Sequence, residues 1–135
     1  MLTILVLPRQ VEDRIDYGYG YGTPTWRQSP TLAHVAALPS EAPVVSNAAD
    51  AIHVLLQRPA TLPPMSRFPT AGRPNTRRYE QLADLRGQRI TFVWFDAIDR
   101  DYLVTLDEVK RYLDVEEVAR FDDGVVLRER VPDIR

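Results

Sequence analysis

The chain of 135 residues contains no cysteine. Disulfide staples, thiolate zinc sites and cysteine nucleophiles are therefore excluded, while the compartment is left open. Histidine is nearly as scarce. His34 and His53 are too few to build a histidine-rich metal centre. Between Asn47 and Gly87 the one glycine is Gly72, so the chain has no glycine-rich loop that could cradle a phosphate. No apolar run approaches the roughly 20 residues that cross a bilayer. Of the 17 Lys and Arg residues only Lys110 is lysine, which reads as codon or habitat bias and not as function.

What is present describes an ordinary folding unit. A chain of this length forms one domain and buries roughly two-thirds of its unfolded surface, enough for a core without covalent staples. Hydrophobic residues make up 44% and charged residues 27% of the sequence, both usual for a globular protein. The net charge of −2 argues against a general nucleic-acid binder. Charge is unevenly spread, however. Residues 57–89 hold Arg58, Arg67, Arg73, Arg77, Arg78, Arg86 and Arg89 against Glu80 and Asp84, whereas acids outnumber bases from residue 90 onward. Such a basic stretch can face a phosphate or a lipid headgroup. The plainer reading is a solvated face whose arginines pair with the acidic C-terminal part.

Local signals place the elements. Residues 10–25 are polar and glycine-rich around Tyr17-Gly18-Tyr19-Gly20-Tyr21-Gly22, where period-two spacing puts three tyrosines on one side of an extended backbone. Ser29-Pro30 is a good helix start, Leu32, Val35, Ala36 and Leu38 form its apolar side, and Pro39 ends it. Val44-Val45 is a short buried strand. Ser46 or Asn47 caps a following helix that carries Ala51, Ile52, Val54, Leu55 and Leu56, with His53 as a buried or half-buried packing residue, and Arg58-Pro59 stops it. Residues 59–74 carry five prolines and no periodicity, the mark of a long loop or lid. Asn75 or Thr76 opens a helix with Tyr79, Leu82 and Leu85, ended by Gly87. Ile90-Thr91-Phe92-Val93-Trp94-Phe95 is apolar on both faces and should be central. Thr105-Leu106-Asp107-Glu108 is a capping box. Strands over 115–121 and 125–131 are joined at Asp122-Asp123-Gly124.

This alternation predicts an α/β domain: a small, mainly parallel sheet with helices on both faces and a C-terminal antiparallel hairpin at its edge. Residues 1–25 read as a connecting segment and 26–135 as the domain, with a Pro/Arg-rich loop at 57–75.

The Gly/Tyr stretch, Trp26-Arg27-Gln28-Ser29, Ser46-Asn47, Arg58-Pro59-Ala60, Trp94-Phe95 and Tyr102-Leu103-Val104-Thr105-Leu106-Asp107-Glu108 together carry a resemblance. Across most of residues 18–130 the chain resembles the C-terminal extracytoplasmic domain of bacterial polytopic membrane proteins of the family-39, protein-mannosyltransferase-like, glycosyltransferase class. The resemblance implies a non-catalytic accessory domain at the extracytoplasmic face of the cell membrane. The catalytic acids of that class lie elsewhere in the parent chain, so none is expected here. Leu2–Leu7 then reads as the last turns of a span. The implied partners are the membrane-embedded part of the parent chain and a polyprenyl-phosphate sugar or glycan acceptor, without a cofactor or a metal. The alternative is a stand-alone small-ligand or sugar-binding module.

The candidate ligand residues are Ser46, Asn47, Arg58, Asp96, Trp26 and Arg27. Asn47 and Ser46 sit where a strand's carboxyl end meets a helix, the usual ligand position in open α/β sheets. The plainer role for Asn47 is a helix cap, and for Arg58 a cation at a helix C-terminus. Asp96, Asp99 and Asp101 follow the central strand, where turn chemistry explains an aspartate cluster as well as ligand binding does. A pocket lined by Asn47, Arg58 and Asp96 is the expectation of the binding-module reading.

Overall fold

Phe92, Val93 and Phe95 are buried on alternating faces of one strand, so that strand must have protein on both sides. The computed structural model, which describes residues 24–130, places it second in a four-stranded sheet. In chain order the elements are α1 (Pro24–Arg27), α2 (Pro30–Ala36), β1 (Val44–Ser46), α3 (Ala49–Leu56), β2 (Arg67–Phe68), β3 (Arg73–Pro74), α4 (Arg78–Ala83), β4 (Thr91–Phe95), α5 (Leu106–Tyr112), β5 (Val115–Phe121) and β6 (Gly124–Glu129). The Gly/Tyr stretch and the Leu2–Leu7 run lie outside the described residues.

The sheet order is β1-β4-β6-β5, and β2 and β3 form a separate two-stranded ribbon inside the proline-rich loop. Only β1 and β4 run parallel, with Val45 opposite Phe92. β4–β6 and β5–β6 are antiparallel. The domain is thus α/β with a mixed sheet, and the expectation of a mainly parallel one is corrected. The C-terminal hairpin lies at one edge of the sheet, as expected, with β5 outermost and β6 on its inner side against β4. The reason lies in Val125, Val126 and Leu127, each essentially inaccessible. A strand that is apolar on both faces gains more as a central strand than at a rim.

Each sheet face carries its own core. Val44, Val93, Phe95 and Val126 pack with Leu32 and Val35 of α2 and with Ala51 and Ile52 of α3. Val45, Phe92, Val125 and Leu127 pack with Leu82 of α4 and with Val109 of α5. Helices therefore cover both faces. β5 serves both cores through a register shift between Glu117 and Ala119. Val115 packs on the second core and Ala119 and Phe121 on the first. A regular strand would point these three odd-numbered side chains to one face. Val118, the extra residue, is exposed.

Two of the expected helix starts hold. Ser29 Oγ accepts from Leu32 N–H at 3.0 Å as the α2 cap. Thr105 and Glu108 complete the capping box of α5. The α4 helix begins later than Asn75, because the Asn75 side chain closes its own turn by accepting from Arg77 N–H at 3.1 Å. His53 is exposed on α3, not packed, since Ala49, Ala51 and Ile52 form the buried side of that helix.

The β5–β6 turn is docked on α2. Asp123 accepts from the Ser29 hydroxyl and from the Thr31 hydroxyl, the latter at 2.6 Å. This brings Gly124 against β4. A Cβ there would lie 2.5 Å from the Trp94 carbonyl oxygen and 2.9 Å from Thr31 Oγ1. The Gly124→Ala variant should therefore lose about 2 kcal/mol or more by overpacking against backbone. Urea denaturation measures this, and a loss under about 0.5 kcal/mol would show that the strand pair can yield there.

Candidate functional site

β1 and β4 end side by side, pointing the same way, and their continuations part. After β1 the chain enters α3, which packs on the first core. After β4 it runs through residues 96–105 into α5, which packs on the second. In an open sheet such a divergence leaves a crevice outside the carboxyl ends of the strands. A cleft of about 270 Å³ is found there, and its walls include Asn47, Trp94, Asp99, Arg100, Asp101 and Thr105.

Asn47 fixes the floor of this cleft. Its carboxamide oxygen accepts from Phe95 N–H at 2.9 Å, and its amide nitrogen donates to the carbonyls of Phe95 at 2.9 Å and Ile98 at 3.1 Å. The residue is buried. Both amide protons and the oxygen are thus committed to backbone groups of β4 and the loop after it. Neither reading from sequence matches this geometry: Asn47 is not the helix cap, and its side chain has no donor to spare for a ligand. The N-cap of α3 is Ala48, which makes no side-chain cap bond. Ser46, fully buried, accepts from Ala48 N–H at 3.0 Å and so shapes the turn.

The walls are polar and partly anchored. Arg100 pairs with Asp50 of α3 at 2.9 Å, tying the two diverging segments together. Asp101 receives Arg67 from β2 at 2.9 Å. Asp99 is exposed and has no such partner among the described residues. Trp94 is half-buried and lines the cleft beside these carboxylates.

The other expected residues lie elsewhere. Arg58 is buried and reaches back to the end of α2, not to its own helix. It donates to the carbonyls of Val35 (3.4 Å), Leu38 (3.1 Å) and Ala42 (3.3 Å), and to that of Pro39. It adds a second donor to the Val35 and Pro39 carbonyls, which already accept from Leu38 N–H and Ala42 N–H, and serves the Leu38 and Ala42 carbonyls at the end of the helix and in the loop after it. Its Nε alone lacks a partner among the described residues. Trp26 is buried edge-on against Phe95 at 5.3 Å between ring centres. Arg27 is exposed, and Asp96 is exposed with its backbone N–H donating to the Asp123 carbonyl at 2.9 Å. The expected pocket of Asn47, Arg58 and Asp96 therefore keeps only Asn47. Trp94 is not among the candidates read from sequence; its place next to the end of a central strand is the available signal. Asp99 and Asp101, for which the sequence allows both turn chemistry and ligand binding, line the cleft.

Among the described residues no group of three His, Asp or Glu is placed to hold a metal ion, and no helix is long and apolar enough to cross a membrane. Ser29 and Asp123 are hydrogen-bonded, but His34 on the same helix packs against Phe121 at 5.6 Å between ring centres and does not complete a relay with them. No protein-family model, curated protein or solved structure matches the chain.

Two substitutions separate structural from ligand roles. Asn47→Ala leaves the Phe95 N–H and the Ile98 carbonyl without their side-chain partner, while the Phe95 carbonyl keeps the Ile98 N–H, and should cost about 2–3 kcal/mol of stability. Arg58→Ala removes a buried guanidinium from four carbonyls and should cost about 2–4 kcal/mol, with Arg58→Lys recovering little because an ammonium cannot span the fork. Denaturant titrations of both proteins check these values. A loss near 0.5 kcal/mol in either would show that solvent can replace the side chain.

Proposed function

We propose that the domain is a non-catalytic binding module whose cleft at the carboxyl ends of β1 and β4 receives a small hydroxyl-rich ligand, a monosaccharide or one sugar unit of a larger glycan. The observation that carries this reading is the pairing of Trp94 with Asp99 and Asp101 on the walls of one small cleft. An indole face packs on the C–H side of a sugar ring, and carboxylates accept from its hydroxyls through up to four lone-pair positions. The volume of about 270 Å³ lies just below the usual range for small-molecule sites, which starts at about 300 Å³. It suits one ring, not a dinucleotide.

The resemblance to extracytoplasmic domains of family-39-type membrane glycosyltransferases supports a setting for this module. There it would serve as an accessory domain of a membrane-bound parent, holding the sugar of a lipid-linked donor or of a glycan acceptor near catalytic acids that the described residues do not supply. The stand-alone module needs the same cleft chemistry without that parent.

Calorimetric titration with a panel of hexoses, and with glycerol as a control, tests the binding claim. Asp99→Asn should weaken the best hexose about tenfold, and Trp94→Ala by at least as much, while Asp99→Asn leaves the melting temperature unchanged. Absence of hexose binding, or binding indifferent to both substitutions, would sink the reading.

A further inference from the structure

A second cavity lies at the other end of the sheet. The registers Thr91 with Arg128 and Val115 with Glu129 put the start of β4, the start of β5 and the end of β6 together. An open depression of about 620 Å³ forms there, lined by Arg86, Lys110, Arg111, Asp114 and Arg130. Four bases thus stand against one acid, in a chain whose net charge is −2. They converge from three separate stretches of sequence: the turn before β4, the last turn of α5 and the residue after β6.

Ordinary causes account for part of this cluster. Cations in the last turn of a helix are favoured by its dipole, which explains Lys110 and Arg111 as residue choices. Arg130 is answered by Asp114 at 3.0 Å and Glu116 at 3.7 Å. Lys110 stands 3.7 Å from Glu117, but Glu117 is held below the usual carboxylate range chiefly by its hydrogen bond with Arg120, at 2.9 Å, so Lys110 is its secondary partner. Two guanidinium groups remain. Arg86 donates to the Tyr112 carbonyl at 3.0 Å, which fixes it at the rim and offsets the negative end of α5 that would otherwise repel an anion. Arg111 is exposed and makes no ion pair or hydrogen bond with the described residues.

We propose that this depression is a binding site for a phosphate-bearing anion. The planar forks of Arg86 and Arg111 match phosphate oxygens bidentately, Lys110 adds a mobile point charge, and Asp114 is already engaged by Arg130. The site is independent of the sugar cleft and stands or falls without it.

Pyrophosphate titration at low ionic strength, followed by amide chemical shifts, is the test. Saturable binding centred on residues 86, 110–114 and 130 is expected, weakening as salt rises. Arg111→Glu removes a side chain with no structural partner and should cut affinity about tenfold or more, with Arg111→Lys in between. A parallel arm uses vesicles of a neutral phospholipid with and without phosphatidic acid. Sedimentation with the acidic vesicles alone identifies a lipid headgroup as the source of the phosphate, and pyrophosphate binding without vesicle binding identifies a free ligand. No saturable binding in either arm, or binding unaltered by Arg111→Glu, overturns the proposal.

Discussion

The carboxamide of Asn47 joins the end of β1 to the end of β4 and to the loop that follows, and the cleft takes its shape from that junction. Three hydrogen bonds from one buried side chain hold Phe95 and Ile98 in place. Without them the parallel pair would end in two loops with unpaired backbone groups, each costly to bury. β1 has only three residues, and its pairing with β4 is short. The carboxamide extends this pairing by one position using side-chain atoms in place of backbone. The Arg100–Asp50 pair then spans the same gap nearer the surface, where solvent screening leaves it a positioning contact more than a source of stability.

Away from the cleft the same principle recurs: loop backbone is satisfied by buried side chains from distant segments. Arg58 holds the chain between α2 and β1 through four carbonyls, and Asp123 holds the start of α2 through two hydroxyls. Thr61 pairs with β1 on its outer side, donating to the Val44 carbonyl at 3.0 Å and accepting from Ser46 N–H at 2.9 Å, so that edge of the sheet is covered. The opposite edge, β5, is protected differently. Its bulge and its charged residues Glu116, Glu117 and Arg120 make it a poor template for another strand. A short sheet with two cores is thereby closed at both rims.

Much of this was legible in the chain, and the division has a physical basis. The strand over 91–95, the Ser29 cap, the Thr105–Glu108 capping box and the turn at Asp122-Asp123 all arise from residues close in sequence, and each was read correctly. The mainly antiparallel pairing of the sheet was not. It depends on β6 pairing with β4, a contact between segments some thirty residues apart that alternation of helices and strands does not encode. The buried run Val125-Val126-Leu127 held the clue that β6 is central. The cleft's end of the sheet was legible, but its lining was not. The Ser46–Asn47 turn marked the right end of the sheet, yet the atoms of Ser46, Asn47 and Arg58 serve the fold. The groups left facing the cleft, Trp94 and Asp99 among them, were visible only once β4 and its loop had positions.

The most direct test of the central claim is an amide and side-chain shift map of the labelled protein during titration with the hexose it binds best. The Trp94 indole N–H and the amides of Asp99, Arg100 and Asp101 should move together along one saturation curve. The Asn47 carboxamide signals should stay sharp and protected throughout, because that side chain holds the cleft and does not contact the ligand. Shifts confined to any other surface, or release of the Asn47 carboxamide on binding, would contradict it.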